Sequence, residues 1–169
     1  MSELDEAWAA ALLEAERQAR LAGRRDIADY LSLRNSNDLL RKAGVDWLIA
    51  EFTTLAGHAN RAGASIRIET VEGHRFRTGN STMVGHQLTL QNGVRTLFVE
   101  AGWPRTPRDG FVRGGGLACA CIRHLGIRKA SDELLLIKST TGAPAWTLSG
   151  SKQALHEADM RHHLKILLG

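Results

Sequence analysis

The hydrophobic pattern of the first part of the chain predicts helices. Near the N-terminus apolar side chains recur at helical spacing, with Ser2 as a suitable cap and Gly23 as a suitable stop. The stripe is narrow and rich in alanine, and it consists of Leu4, Trp8, Ala11, Leu12, Ala15, Ala19 and Ala22. A helix of this kind packs closely on its own chain or on a second copy, so residues 1–23 are expected to form a protruding or oligomerisation helix.

Two more helices are predicted before the first strand. A short helix covers residues 26–33, the turn Asn35-Ser36-Asn37 follows, and a longer helix runs to Ala62 and Gly63. The long helix has a wide apolar face, formed by Val45, Leu48, Ile49, Phe52, Leu55, Ala56 and Ala59. Gly44 weakens the first turns of this helix, because glycine is a poor helix former.

After Gly63 the apolar period changes from helical to two, which indicates strands. Residues 66–70 and 74–77 alternate around a turn at residues 72–73. Residues 83–101 give the strongest signal, because Asn92-Gly93 suits a two-residue type I′ hairpin. That turn places Leu90 opposite Arg95, Leu88 opposite Leu97 and His86 opposite Val99. We therefore expect a sheet with one aliphatic face, and a buried, hydrogen-bonded His86 within it.

The rest of the chain alternates between loops and short elements. Prolines and glycines predict a loop over residues 103–116, and residues 117–125 read as a short helix that ends at Gly126. Residues 134–138 and 145–148 read as a second hairpin, and residues 151–169 as a terminal helix. The predicted fold is one α+β domain over residues 1–169: N-terminal helices, an antiparallel β meander with hairpins, a short inserted helix and a C-terminal helix.

Composition fits such a domain and adds a charge asymmetry. The chain has 169 residues, of which 43% are hydrophobic, and a net charge of +4. Acidic residues dominate positions 1–22 and basic residues dominate positions 101–130. The acidic N-terminus and the lack of a long apolar run predict a cytoplasmic protein that does not enter a membrane. Cys119 and Cys121 are too close in sequence for an ordinary disulfide.

The basic segment contains the candidate binding site. Three glycines before a predicted helix start leave backbone amides free to face an anion, and arginines surround them. The candidate anion-binding residues are Arg105, Arg108, Arg113, Gly114, Gly115, Gly116 and His124. The competing interpretation is a tightly turned connector in which the glycines meet a backbone requirement.

A metal site is a weaker candidate. On a helix Cys121 and His124 share a face, and the terminal helix offers His156, Asp159 and His163 at one-turn spacing. No recognised ligand spacing is present, and the preferred interpretation is that His156 and His163 flank the apolar stripe of a packed helix. We predict no bound metal and no cofactor.

Other motifs are short and nonspecific. Ser149-Gly150-Ser151-Lys152 reads as a helix cap rather than a nucleophilic serine with its lysine. Arg75, Phe76 and Arg77, beside Arg67, give one short basic strand face of the kind that binds nucleic acid. Residues 80–85 resemble the Asn/Asp-x-Ser-x-x-Gly element of PilZ domains, with Thr82 in place of serine and without the properly spaced upstream arginines, so no residue role is transferred.

The sequence therefore favours a non-enzymatic binding or adaptor domain. Its predicted partner is an acidic protein or an anionic ligand held by the 105–123 region, and a homodimer is predicted from the first helix. The alternatives are a nucleic-acid-binding protein that uses the strand arginines, and a small metal- or phosphate-handling enzyme.

Overall fold

The computed structural model describes residues 3–169 and confirms the α+β class. The helices are α1 (Glu3–Leu21), α2 (Arg25–Arg61) and α3 (Glu157–Leu168). The strands are β1 (Arg67–Thr78), β2 (Ser81–Asn92), β3 (Arg95–Trp103), β4 (Ala118–His124), β5 (Ile127–Lys138) and β6 (Pro144–Leu148). Within residues 3–169 no helix has both the length and the apolarity to cross a membrane. The predicted cap Ser2 lies outside the described residues.

The six strands form one antiparallel sheet in sequence order, so each strand pairs with its neighbours along the chain. Helices α2 and α3 cover one face of this sheet. The predicted apolar face of α2 is confirmed: Val45, Leu48 and Phe52 are fully buried, together with Leu88 and Val99 of the sheet. The helix-facing side of the sheet therefore carries the main core.

Helix α1 packs along α2 of the same chain. Leu12 is the buried residue of α1, whereas Leu4 and Trp8 of the predicted stripe remain exposed. The predicted break at residues 35–37 is wrong, because α2 continues without interruption through them. Packing against α1 outweighs the low helix propensity of Asn35 and Asn37, as tertiary contacts commonly do. Dimerisation through α1 stays a prediction.

Gly44 has a packing role inside α2. A Cβ atom built on Gly44 would lie 2.5 Å from Leu136 Cδ2 of β5. The Gly44 carbonyl also accepts a hydrogen bond from the Trp146 indole at 2.8 Å. The glycine therefore lets the helix approach β5 and β6 closely at this point.

The predicted β2–β3 hairpin exists, but its predicted register is wrong by two residues. Asn92 pairs with Arg95, which makes Gly93 and Val94 the turn residues. Gly93 has a φ of 62°, and glycine with positive φ at the first central position is the pattern of a type II′ turn. Leu88 consequently faces Val99, and Leu90 faces Leu97. His86 pairs with Ala101 and its side chain is 17% exposed, 3.9 Å from Asp46.

The predicted helix over residues 117–125 is also wrong. Residues 118–124 form β4, in which Ala118, Ala120 and Ile122 face the helices and the intervening residues face the other way. The alternation is difficult to recognise in the sequence because most of these side chains are small. Hydrogen bonding to β3 on one side and to β5 on the other stabilises the extended conformation.

Two boundaries near the C-terminus differ from the prediction. Strand β5 begins at Ile127 instead of residue 134, and α3 begins at Glu157 instead of residue 151. Residues before α3 pair with β6: the Leu148 amide donates to the Gln153 carbonyl, and the Leu155 amide donates to the Trp146 carbonyl. This pairing delays the helix, so residues 149–152 form a turn and not the predicted helix cap.

Candidate functional site

A groove lies between the α1–α2 pair and the loop that follows β3. We call it the Arg34 groove; it has a volume of about 430 Å³. Its helical wall includes Trp8, Tyr30, Leu33, Arg34 and Arg41, and its loop wall includes Trp103, Arg105 and Phe111. Three arginines and four aromatic side chains thus meet in one depression. The chain has only nine aromatic side chains, from four Trp, four Phe and one Tyr, so almost half of them line this groove.

Helical spacing places the α2 residues on one face. Tyr30, Arg34, Asn37 and Arg41 follow one another at intervals of four, three and four residues, which keeps them on the same side of a helix. This face is continuous only because α2 runs unbroken through residues 35–37. The groove residues of α2 are therefore positioned by the same packing that removes the predicted turn.

Asp38 of α2 holds two side chains of the helical wall in place, Arg41 of α2 and Trp8 of α1. Its Oδ1 atom accepts a hydrogen bond from Arg41 Nη1 at 2.6 Å, and its Oδ2 atom accepts one from the Trp8 indole at 3.0 Å. Arg41 Nε donates in turn to the Leu117 carbonyl at 2.8 Å. Arg41 is thus neutralised and held in place by its neighbours.

Asp109 folds the loop wall. Its buried carboxylate accepts hydrogen bonds from the backbone amides of Arg105 and Thr106, at 3.0 and 3.1 Å. It also accepts one from Arg75 Nη2 at 3.0 Å. The Arg105 amide makes the largest contribution to holding the pKa of Asp109 below its usual range, and the Thr106 amide and Arg75 add to it.

The tip of the loop presents Phe111. The Phe111 amide donates to Ser81 Oγ at 3.2 Å, and Ser81 Oγ donates to the Phe111 carbonyl at 2.8 Å. The backbone is therefore anchored to β2, while the phenyl ring is 83% exposed. An anchored backbone with an exposed ring suits contact with a ligand.

Arg105 is largely engaged by the protein. Its guanidinium lies 3.8 Å from the centre of the Trp103 ring. Nη1 donates to Asp5 Oδ1 at 2.8 Å and Nη2 donates to the Val84 carbonyl at 3.2 Å. Within residues 3–169 its buried Nε has no hydrogen-bond partner. Arg105 thus forms a rigid wall with one unsatisfied donor.

Arg34 differs from the other two arginines of the groove. Its guanidinium lies 5.2 Å from the centre of the Trp8 ring, a cation–π distance. Among residues 3–169 it forms no ion pair, whereas Arg41 pairs with Asp38 and Arg105 pairs with Asp5. Arg34 therefore contributes the uncompensated positive charge of the groove.

The structure does not gather the predicted anion-binding residues into one site. Arg105 lines the Arg34 groove, Arg108 is exposed on the turn at Pro107–Asp109, and Arg113 lines a different depression with Lys152. The helix that would have oriented the amides of Gly114, Gly115 and Gly116 is absent, because β4 follows them. Gly116 also packs tightly, since a Cβ atom there would meet Leu135 and Val112. A role for these glycines in anion binding stays a prediction.

The metal candidates serve other contacts. In a strand, Cys121 and His124 point to opposite faces, so the predicted pairing of these two residues is wrong. The Asp159 carboxylate accepts a hydrogen bond from the His156 amide at 2.8 Å and so caps α3. Across the described chain, residues 3–169, no group of three or more His, Cys, Asp and Glu side chains could hold a metal ion.

His124 and His163, which are both buried, instead form a relay with Asp132. His163 Nε2 lies 2.7 Å from Asp132 Oδ2, and His163 Nδ1 lies 2.9 Å from His124 Nε2. Neutral imidazoles satisfy both hydrogen bonds when His163 donates to the carboxylate and His124 donates to His163. Burial lowers the pKa of His124 to about 4 and also lowers the pKa of His163. The relay therefore links α3 to β4 and β5 with uncharged histidines.

The two thiols are expected to be unreactive in the folded protein. Burial raises the pKa of Cys119 and that of Cys121 to about 11. Since the thiolate is the reactive form and two pKa units change its fraction by about a hundredfold, iodoacetamide should label both roughly a hundredfold more slowly than free cysteine. Mass spectrometry of Cys119→Ser and Cys121→Ser variants would measure each thiol separately. Fast labelling of either thiol, at the rate seen in guanidinium chloride, would contradict this prediction.

A second polar cluster lies on the face of the sheet opposite the helices. His74 of β1 and Glu100 of β3 lie on either side of β2, and His74 Nε2 lies 2.5 Å from Glu100 Oε2. Arg123 Nε donates to Glu100 Oε1 at 2.9 Å from the other side. The buried Glu100 carboxylate is thus held by partners on both neighbouring sides.

The predicted basic strand face lacks an aromatic platform. Phe76 is only 8% exposed and packs with Met83 and Cys119, so its ring is not accessible to a base. Its neighbours Arg75 and Arg77 point to the opposite face of β1. These residues therefore provide positive charge without base stacking.

Sequence reasoning missed the helical half of the Arg34 groove. The signal was present in the spacing of Tyr30, Arg34 and Arg41, but the predicted turn at residues 35–37 interrupted it. No family model, no curated protein and no solved structure matches the chain. A function for the groove must therefore be inferred from its own side chains.

Proposed function

We propose that this chain is a single, non-enzymatic binding domain whose Arg34 groove holds an anionic ligand. The observation that carries the proposal is the meeting of three guanidinium groups and four aromatic rings in one groove. Arginine binds carboxylate and phosphate oxygens through a planar set of donors, and aromatic walls supply apolar area. This combination is typical of ligand sites, in which a few polar groups orient a ligand that is otherwise held by apolar contact.

The groove is prepared for binding before any ligand arrives. Asp38 holds Arg41, and Asp5 with Trp103 holds Arg105, so these side chains lose little freedom on binding. Arg34 keeps its charge available because no carboxylate of residues 3–169 pairs with it. The anion is therefore assigned to Arg34.

The positions of the reactive side chains favour binding over catalysis. The buried histidines His124 and His163 bond to each other, and His163 also bonds to Asp132. The thiols of Cys119 and Cys121 have raised pKa values. Neither pair lines the Arg34 groove, so the groove contains arginines and aromatics without a nucleophile supported by a base.

An Arg34→Gln variant tests the proposal. A charge-assisted hydrogen bond contributes about 1.5–3 kcal/mol, so the variant should bind its anion roughly 10- to 100-fold more weakly. Calorimetric titration would be run with a panel of three anions: anilinonaphthalene sulfonate, pyrophosphate and a thymidine dodecamer. Arg61→Gln is the matched control, because it removes the same charge from the exposed C-terminal end of α2. The proposal is wrong if no member of the panel binds in a manner that depends on Arg34.

A further inference from the structure

We infer that the ligand of the Arg34 groove is an aromatic monoacid, a flat apolar body that carries one negative charge. This inference rests on the proposed function and specifies the chemical class of the ligand. Three features of the groove lead to it: its charge balance, its exposed rings and its size.

The charge balance calls for one negative charge. Arg41 is paired with Asp38 at 2.6 Å and Arg105 with Asp5 at 2.8 Å, so both arginines are compensated within the protein. Arg34 alone among the three has no carboxylate partner within residues 3–169. A ligand with one acidic group matches this charge, whereas each further negative charge would have to displace an existing carboxylate or remain unpaired.

The surroundings also disfavour a polyanion. The Asp38 carboxylate lines the groove, where it accepts hydrogen bonds from Trp8 and Arg41. A phosphate chain that filled the groove would bring further negative charge beside this carboxylate, and like charges repel. A ligand with a single charge at Arg34 and an uncharged body avoids this repulsion.

The exposed rings call for an aromatic body. The fractional exposures are 42% for Trp8, 61% for Tyr30 and 83% for Phe111, although such side chains usually bury most of their surface. They border the groove together, and Arg34 lies 5.2 Å from the Trp8 ring centre. An acidic group that pairs with Arg34 therefore lies beside the indole. The rest of the ligand then contacts the exposed aromatic rings that border the groove.

The size of the groove fits a small molecule. Its volume of about 430 Å³ lies in the lower part of the roughly 300–1,000 Å³ range of small-molecule sites. A ligand of two or three fused or linked rings fills such a space. A folded partner domain would need a much larger contact surface.

The experiment compares two probes that share a ring system and differ in charge. Anilinonaphthalene sulfonate carries one sulfonate, and N-phenylnaphthylamine carries none; fluorescence titration measures both. We expect Arg34→Gln to weaken sulfonate binding at least tenfold and to change binding of the neutral probe less than twofold. Phe111→Ser, at an exposed ring, should weaken both probes. Arg61→Gln should change neither, and pyrophosphate and the thymidine dodecamer should not displace the sulfonate.

Each other outcome overturns the inference. If Arg34→Gln and the unaltered protein bind the sulfonate equally well, the probe binds to an apolar surface and its charge makes no contact with Arg34. Binding of pyrophosphate or the dodecamer that depends on Arg34, without sulfonate binding, would leave the proposed function in place and reject the aromatic monoacid. Failure of all three anions would reject both. Circular dichroism of each variant establishes that the fold is retained.

Discussion

Replacing Gly85 with alanine should destabilise the protein by about 3 kcal/mol, which is a large part of the stability of a typical domain. Gly85 pairs with Gly102 across β2 and β3. A Cβ atom on Gly85 would collide with the Ala101 carbonyl oxygen, and one on Gly102 would lie 2.5 Å from the Val84 carbonyl oxygen. Because both obstacles are backbone atoms, the strands themselves would have to separate.

Urea denaturation of Gly85→Ala measures this cost. Gly57→Ala is the matched control: Gly57 lies inside α2, and the nearest atom to its added Cβ would be Arg61 Nη1 at 3.8 Å, an ordinary contact. Alanine is a better helix former, so this control should raise stability by about 0.5–1 kcal/mol. An unchanged urea midpoint for Gly85→Ala would show that β2 and β3 do not approach each other as described.

Stability should fall by about 2 kcal/mol between pH 7.5 and pH 5 because of His124 alone, since one pKa unit corresponds to about 1.4 kcal/mol. Burial lowers the pKa of His124 from 6.5 to about 4 in the folded protein. Between these values the unfolded chain takes up a proton and the folded chain does not, so acid favours unfolding. Above pH 6.5 His124 is neutral in both states and its contribution is constant.

The groups around the relay act in both directions. Asp132 of β5 and Asp159 of α3 favour protonation of His163, whereas burial and His162 oppose it, and the pKa of His163 is lowered on balance. Its titration therefore adds to the loss of stability in acid. Asp109, whose pKa is lowered from 3.8, affects stability only at lower pH. The interval between pH 7.5 and pH 5 thus isolates the histidines from this carboxylate.

Urea denaturation at a series of pH values would measure the slope. His124→Leu should be less stable than the unaltered protein at pH 7.5, because His163 Nδ1 loses its donor. Its stability should nevertheless depend less on pH between 7.5 and 5. An identical pH slope in both proteins would rule out His124 as the titrating group.

The sequence predicted the elements whose side chains repeat with a clear period. The apolar face of α2 and the alternation in β2 and β3 both arise from burial on one side, so the fold class and the meander followed from them. Strand β4 was missed because alanines and cysteines alternate with little contrast in polarity. The hairpin register was missed because Asn92-Gly93 has the composition typical of a type I′ turn. The turn is instead formed by Gly93 and Val94, in the pattern of a type II′ turn.

Only the loop side of the candidate site could be predicted. The prolines and arginines around Arg105 mark a loop, and they are visible locally. The groove, however, requires α1, α2 and the loop to meet, and its contacts join residues far apart in sequence, such as Arg105 with Asp5 and Arg41 with Leu117. Local patterns carry no information about such encounters. Arg34 is recognised as a candidate only from the structure, which shows its contact with Trp8 and shows that no carboxylate of residues 3–169 pairs with it.

The order of elements has a consequence for synthesis on the ribosome. The apolar face of α2, with Leu48 and Phe52 at its centre, is translated before any strand that covers it. About 50 further residues, up to the end of β3 at Trp103, must follow, which takes roughly 3–10 s at ordinary translation rates. During those seconds the nascent chain carries an uncovered apolar helix face, which is the kind of surface that chaperones bind. Once β2 and β3 emerge they pair through a two-residue turn and cover it. Because a hairpin forms in about 1–10 μs, the rate of translation sets how long the nascent chain needs protection.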